Sequence, residues 1–400
     1  VSVTAVGHLT GEARATNEIV LAAMADQPAD NPGGDWNLDM TAESGGALTA
    51  FATGDIRGEY TAAGVLAVTA LMDVDGAVLT STGGSVNVFA LGNVTETTVA
   101  ADVDGDGDAV VIAAGSPELE TGGVSGAVTA GGDATVVAGG DVRAPVTAET
   151  GSANVYAIEG DVCEEVRAGL DANVLAGVLD GDIGGTVKSP VIAGRNVSLA
   201  AFRDLAAAVL AGAADPLAVV AGNDPESISY RIDDGEGDAS VSVFGKQAGY
   251  VAAAASAELY AAQVGRKVYA RYGDATATSA TDIDATAAIR AGADATVSSL
   301  ASILAEITAG GSAEVLAAES VMEDITAGGG ATVLAGESIS ADVTSTSGAV
   351  SVTAGEQYTQ SNAGIDAGTS VHVLVLGDFD GDIQFGEVDG DYEDTGDIRD

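Results

Sequence analysis

Residues 312–330, SAEVLAAESVMEDITAGGG, are followed at once by 331–348, ATVLAGESISADVTSTSG, and their apolar positions keep step. Val315, Ala317, Val321, Ile325 and Ala327 set the pattern in the first stretch. Val333, Ala335, Ile339 and Val343 repeat it 18 residues later. The same frame occurs earlier as Val136, Ala138, Val142, Val146 and Ala148, and again as Val155, Ala157, Val162, Val166 and Ala168. The shared phrase is V-x-A-x-x-x-[DS]-[VI]-x-x-x-[VI]-x-A-G. Self-similarity at a fixed period of about 20 residues marks stacked units, each burying its apolar face against the next. Within a unit, V-x-A and [VI]-x-A alternate with period two, the pattern of short strands with one buried face. Glycine pairs at 131–132, 139–140, 184–185 and 310–311 would break long helices and suit tight corners.

The fold class that follows is all-β: a parallel β-helix or β-solenoid with coils of 18 to 25 residues. Leucine-rich repeats have a similar length but need several leucines and a turn asparagine, which this frame lacks. The calcium-binding nonapeptide repeat needs two glycine clusters per 18 residues, and one is present. First-strand centres are expected near Val68, Val88, Val111, Val136, Val155, Val174, Val197, Val219 and Val241, then Val297, Val315, Val333, Val352 and Val373. Residues 47–64 and 273–292 each have the length of one coil, although 250–292 is less regular. At about 20 residues per coil the chain holds roughly fifteen to twenty coils. This predicts one elongated domain over 1–376, with an acidic cap or tail at 377–400. Irregular or helical insertions are expected near 11–35 and 198–216. In the latter, SLAAFRDLAAAVLAGAAD has the alanine and leucine density of a helix, or it is an ordinary coil with an alanine-rich wall.

Composition narrows the core. With 4 % aromatic residues the chain has few side chains able to fill a wide cross-section, so alanine at the second inward position implies a narrow coil. The 60 acidic and 14 basic residues give a net charge of −46. No basic stripe exists to neutralise phosphates, so nucleic acid is not an expected partner, and an anionic membrane surface would repel the chain. Such acidity keeps a protein soluble in concentrated salt or collects divalent cations outside a cell. No apolar run is long enough to span a bilayer. Cys163 stands alone, which rules out an intrachain disulfide and fits an inert corner thiol. The chain opens in strand-like alternation, VSVTAVGHLT, without an initiator methionine, as a mature form or a fragment would.

Calcium is the cofactor that the local acidic motifs suggest. In ADVDGDGDAV, Asp102, Asp104, Asp106 and Asp108 alternate around Gly107, spacing that offers oxygen ligands to a hard cation. A full helix-loop-helix calcium loop would need glutamate at position twelve, where Ala113 stands, so the alternatives are a partial corner site and a solvated acidic turn. Near the C-terminus Asp378, Asp380 and Asp382 form one trio, and Asp389, Asp391 and Glu393 another; Ile383, Phe385 and Val388 suggest that part of this stretch packs as a cap. Tyr250, Tyr260, Arg266, Lys267, Tyr269, Arg271 and Tyr272 gather bases and aromatics. They suit a glycan-binding face, a contact with an acidic neighbour, or a wider coil with larger fillers. Asn93 and Asn196 head N-V-T and N-V-S glycosylation patterns. His8 and His372 lie far apart in sequence, and the Asp233–Asp234 pair beside Tyr230 and Arg231 is a weak acid–base candidate, so no catalytic residue is assigned.

The phrases G-[SD]-A-x-V-x-A and [DS]-[VI]-x-x-x-[VI]-x-A-G, which recur over nearly the whole chain, resemble the parallel β-helical stalks of secreted bacterial proteins such as filamentous-haemagglutinin-like adhesins. GDIGGTV at 181–187 is similar to the coils of bactofilins, cytoskeletal solenoids that polymerise end to end, although those arrays are much shorter. The resemblance implies a secreted or cell-surface structural protein, an adhesive stalk, fibre or layer subunit, partnered by its own copies or by other surface proteins. The alternatives are a carbohydrate-binding or carbohydrate-degrading β-helix and an intracellular polymer.

Overall fold

The computed structural model describes residues 1–24, 36–115, 122–177, 184–220, 222, 224–230 and 236–385, with the side chains of 360–363 and 385 left aside. Strand makes up 57 % of the chain and helix 1 %, and among the described residues no helical layer shields the sheets, so each coil closes its core with its own side chains. The strands are parallel and stack as a β-solenoid of about 18 turns, about 19 residues per coil. The chain divides into two compact units, Val1–Arg203 with Asp215–Val219, and Asp204–Ala214 with Val220–Asp400. One coil plan holds in each.

The plan follows from the repeat phrase. In unit 2, Ala313–Ala317 is a five-residue strand whose alternate residues Ala313, Val315 and Ala317 point inward. After a corner, Val321 alone turns inward and bridges to Ile303 on one side and Ile339 on the other. A second corner leads to Ile325–Ala327, again alternating. These six inward residues are at most 2 % exposed. Each buried valine stabilises by roughly 1.5–3 kcal/mol, which no isolated coil could turn into a fold but an array of stacked coils can.

Register confirms the column idea residue by residue. In unit 1 the pairs run Val68–Val88–Val111–Val136–Val155–Val174. In unit 2 they run Val241–Leu259–Ala277–Val297–Val315–Val333–Val352–Val373. The irregular zone at 250–292 therefore holds ordinary coils, made faint in sequence by alanine at the column position 277.

Two expected centres are corrected. Leu199, not Val197, faces Val174, and Val197 faces Ala172. Both residues lie on one face of the strand, so a period-two pattern cannot choose between them. Val219 belongs to no column: it sits in a turn after Pro216, where the Ala218 and Val219 N–H groups donate to the Asp215 carbonyl and the Asp215 carboxylate accepts from Ala218. Proline at 216 has no N–H for a ladder, which takes this Ala–Val run out of the sheet.

Neither stretch offered as helical forms a helix in its described residues. Leu9–Ala15 and Ile19–Met24 are strands, and residues 25–35 lie outside the described residues. Val197–Ala201 and Val209–Ala211 are also strands, the alanine-rich coil wall. Alanine's helix propensity loses here because the column neighbours, Ala172–Ala176 and Val251–Ala253, supply ladder bonds and inward packing at those steps. Asp378–Phe385 continues the coil path by pairing with Gln357–Ala367. Among the described residues the helical content is one 3-10 turn, Pro225–Ser227.

Candidate functional site

Acidic residues at the corners are built into the stacking. Asp55 N–H donates to the Asn37 side-chain oxygen, Asp73 N–H to the Asp55 carboxylate, and Asn93 N–H to the Asp73 carboxylate. The chain of bonds ends where Gly122 and Gly123 both donate to the Asn93 oxygen, at 2.8 and 3.0 Å. A second corner repeats the device: Asp133 donates to Asp108, Ser152 to Asp133, Asp294 to Asp274 and Ser312 to Asp294. Each carboxylate thus takes the corner N–H of the next coil, a group the strand ladders leave unpaired. Sequence reasoning treated these acids as surface charge. The signal was present: aspartate or serine immediately before the first inward residue, in G-[SD]-A and in [DS]-[VI].

The candidate cation ligands fit this picture. Asp108 Oδ1 accepts from Asp133 N–H at 2.9 Å, so it is already a corner residue. Asp102 lies in a tight turn at φ 27°, with its carbonyl accepting from Gly105 N–H, while Asp104 and Asp106 point to solvent. Ala113 is wholly buried at the end of Ala109–Ala113, and a strand there leaves no twelfth ligand. Asp378, Asp380 and Asp382 are exposed along one face of Asp378–Phe385. Among the described residues, no three His, Cys, Asp or Glu side chains gather around one point. Among the described residues, then, Asp102, Asp104, Asp106 and Asp108, and likewise Asp378, Asp380 and Asp382, do not form a preorganised calcium cage. Asp389, Asp391 and Glu393, Val388, and the Arg231 and Asp233–Asp234 candidates lie outside the described residues.

Two corner carboxyls are perturbed in opposite senses. Burial first, and then the charge of Asp324 beneath it, raise the Asp342 carboxyl above its ordinary range. Arg195 hydrogen bonding holds Asp171 below it, against the opposing effect of burial; the guanidinium reaches the carboxylate at 2.9 and 2.5 Å. A raised acid binds its proton more tightly when folded, so ionised Asp342 costs stability at neutral pH and that cost fades as pH falls through the folded value. Asp171 contributes stability above the unfolded carboxylate value of about 4, lost as pH falls through the lower folded value. Asp342→Asn is therefore expected to raise the melting temperature at neutral pH by roughly 1–2 °C, and Asp171→Asn to lower it by a similar amount. Thermal scans at neutral and acid pH check both, since each difference should shrink on acidification.

Both glycosylation patterns are likewise engaged in corners. Asn93 accepts from the glycine N–H groups, and the Asn196 amide donates to Asp171 Oδ1 at 3.1 Å. Cys163 sits half-buried beside inward Val162, with its thiol pKa raised chiefly by burial. His8 accepts from Asn37 N–H and meets Trp36 edge-on, in unit 1, while His372 is on Val371–Val375 in unit 2.

The tyrosine and base cluster separates by face. Tyr260 stands outward on Ala257–Val264, in the first column, and donates to Glu258. Lys267, Tyr269, Arg271 and Tyr272 belong to the second column around Val268–Ala270. They do not fill a wider coil. Lys267, Tyr269 and Arg271 hold residues 224–230 against the outer face, while exposed Tyr272 accepts from Arg271 Nε. Lys267 Nζ and Arg290 Nη1 both donate to Glu226 Oε1, at 2.7 and 2.9 Å. Lys267 also reaches Asp224 at 3.4 Å. Tyr230 packs on Tyr269 at 6.1 Å, and the Arg271 guanidinium lies 5.5 Å from the Tyr230 ring. Arg266 is exposed, and its backbone N–H donates to buried Gln247.

Comparisons with protein-family models, with curated proteins and with solved structures find no match for this chain.

Proposed function

We propose that the chain is a structural protein of the cell surface or of secreted material, working as a stalk, fibre or layer subunit. The observation that carries this reading is the double use of the coils, whose inward residues form the apolar columns while corner acids in several of them bond to the next coil's backbone. Val136–Val155–Val174 and the Asp108–Asp133–Ser152 run show both in unit 1. A chain whose repeating residues are spent on coil-to-coil bonding resists extension and shear, and the remaining carboxylates keep its sides hydrated. Self-association is the expected partnership, with calcium bridging carboxylates between molecules rather than filling a preformed cage.

A glycan-binding role is the second reading, and exposed Tyr260 and Tyr272 favour it. It ranks lower because Lys267, Tyr269 and Arg271 are committed to residues 224–230. Negative-stain electron microscopy with and without Ca²⁺ tests the leading reading: filaments or sheets are expected, at least with calcium. Isolated particles in every condition, together with glycan binding lost on Tyr260→Ala, would replace it with the second.

A further inference from the structure

Residues 224–230 leave the coil path and form a small knob with bonds of its own. Asp224 Oδ1 accepts from Glu226 N–H, the Asp224 carbonyl accepts from Ser227 N–H and from the Ser227 hydroxyl, and the Tyr230 hydroxyl donates to the Pro225 carbonyl. Pro225, Ile228 and Tyr230 are buried, Tyr230 to 4 % exposure. Outward positions of the second column in unit 2 run Leu210–Ala252–Tyr269–Arg290–Thr308. Leu210 and Ala252 are buried despite facing out, so this part of the face is covered.

The knob is fastened by a different kind of contact from those that hold the coils. Its backbone meets the column through the Ala213–Tyr230 bridge, with Ala214 N–H donating to the Ser229 carbonyl. Around it lie the buried Pro225 and Ile228, the Tyr230–Tyr269 ring pair, the Arg271 guanidinium over Tyr230, and the ion pairs of Asp224 and Glu226. Glu226 meets both cations through one oxygen. Arg290 Nε is buried with no acceptor, and its Nη2 is 3.7 Å from Glu306. An unmet buried donor beside a partly exposed ion pair makes a clasp that is specific in geometry and modest in strength.

We propose that residues 224–230 are a latch: a preformed knob that docks on the outer face of unit 2 and separates from it while the coils stay folded, its docked population set by Glu226 pairing with Lys267 and Arg290. Local opening of this kind draws on few backbone bonds and screened charge, whereas a coil can open only by breaking the ladders on both its sides. Separation uncovers Tyr269 and Arg271 and frees Lys267 and Arg290, an aromatic and basic face on an otherwise acidic chain. The inference rests on unit 2 alone and not on the stalk reading.

Hydroxyl-radical footprinting of the full chain reads the latch directly, with Tyr230 as reporter and wholly buried Tyr358, in a coil of the same unit, as reference. Raising salt from low to molar concentration is expected to increase Tyr230 labelling about fivefold in the native protein. In Glu226→Gln, and independently in Lys267→Gln, labelling should already be high at low salt and respond little to more. Tyr358 should stay unlabelled throughout. Tyr230 labelling that ignores both salt and the substitutions overturns the proposal, and so does labelling of Tyr358 that rises with it, since the knob would then be a fixed part of the coil stack.

Discussion

Val155→Asp is expected to cost unit 1 about 5 kcal/mol, the largest single effect the fold offers. Val155 is fully buried in Ala153–Ala157, facing Val136 on one neighbouring coil and Val174 on the other. The substitution removes a buried valine, worth roughly 1.5–3 kcal/mol. It also places a carboxyl where no inward polar group can meet it, because the inward neighbours along the same strand are Ala153 and Ala157. Such a carboxyl stays protonated by a rise in pKa of a few units, each costing about 1.4 kcal/mol at neutral pH. Denaturant titration followed by far-ultraviolet circular dichroism, and by the single tryptophan, Trp36, measures the loss. The deficit should narrow at acid pH, because the carboxyl is then neutral in the unfolded chain as well. A deficit under about 1 kcal/mol would mean that position 155 is not in a closed column.

The columns were legible in the sequence because nothing competes with them. Val315, Val333 and Val352 occupy equivalent steps of near-identical phrases, and stacking places them opposite one another. Legibility failed where the phrase lost its valine, as at Ala277, or where two apolar residues shared a strand face, as at Val197 and Leu199. It failed more deeply at the corners. A carboxylate that accepts the next coil's N–H has the same sequence appearance as one that faces solvent, and only the coil-to-coil register separates them. Asp104 and Asp108 illustrate the point: both belong to one alternating run and both are exposed, yet the Asp108 carboxylate accepts from Asp133 N–H of the next coil. The 224–230 contact was half visible, since the scarcity of bases elsewhere drew notice to Lys267, Tyr269 and Arg271. The Lys267 partners Asp224 and Glu226 lie 43 and 41 residues earlier, a separation no repeat phrase encodes.

Gly126→Ala is the second large effect, and a control exists to divide its causes. In Val94–Ala101 the register shifts between Val94 and Thr97, with Glu96 at φ 49°, so this coil carries an extra residue at its corner. Thr97 is held there by its hydroxyl, which donates to the Thr95 carbonyl at 2.9 Å. The next coil passes close over this bulge at Gly126, where φ is +110° and an added Cβ would lie 2.0 Å from the Thr97 carbonyl oxygen. Alanine must therefore adopt a strained backbone and also push two coils apart, at a cost of about 3 kcal/mol or more. Gly11 has a similar φ of +128° with nothing within 4 Å of its would-be Cβ, so Gly11→Ala carries the strain without the collision, about 1–2 kcal/mol. Denaturant midpoints of the two variants separate the terms. Equal losses would mean that coil spacing yields freely at the bulge, whereas a loss at least twice as large for Gly126→Ala is expected from coils held at fixed separation by the ladders on either side.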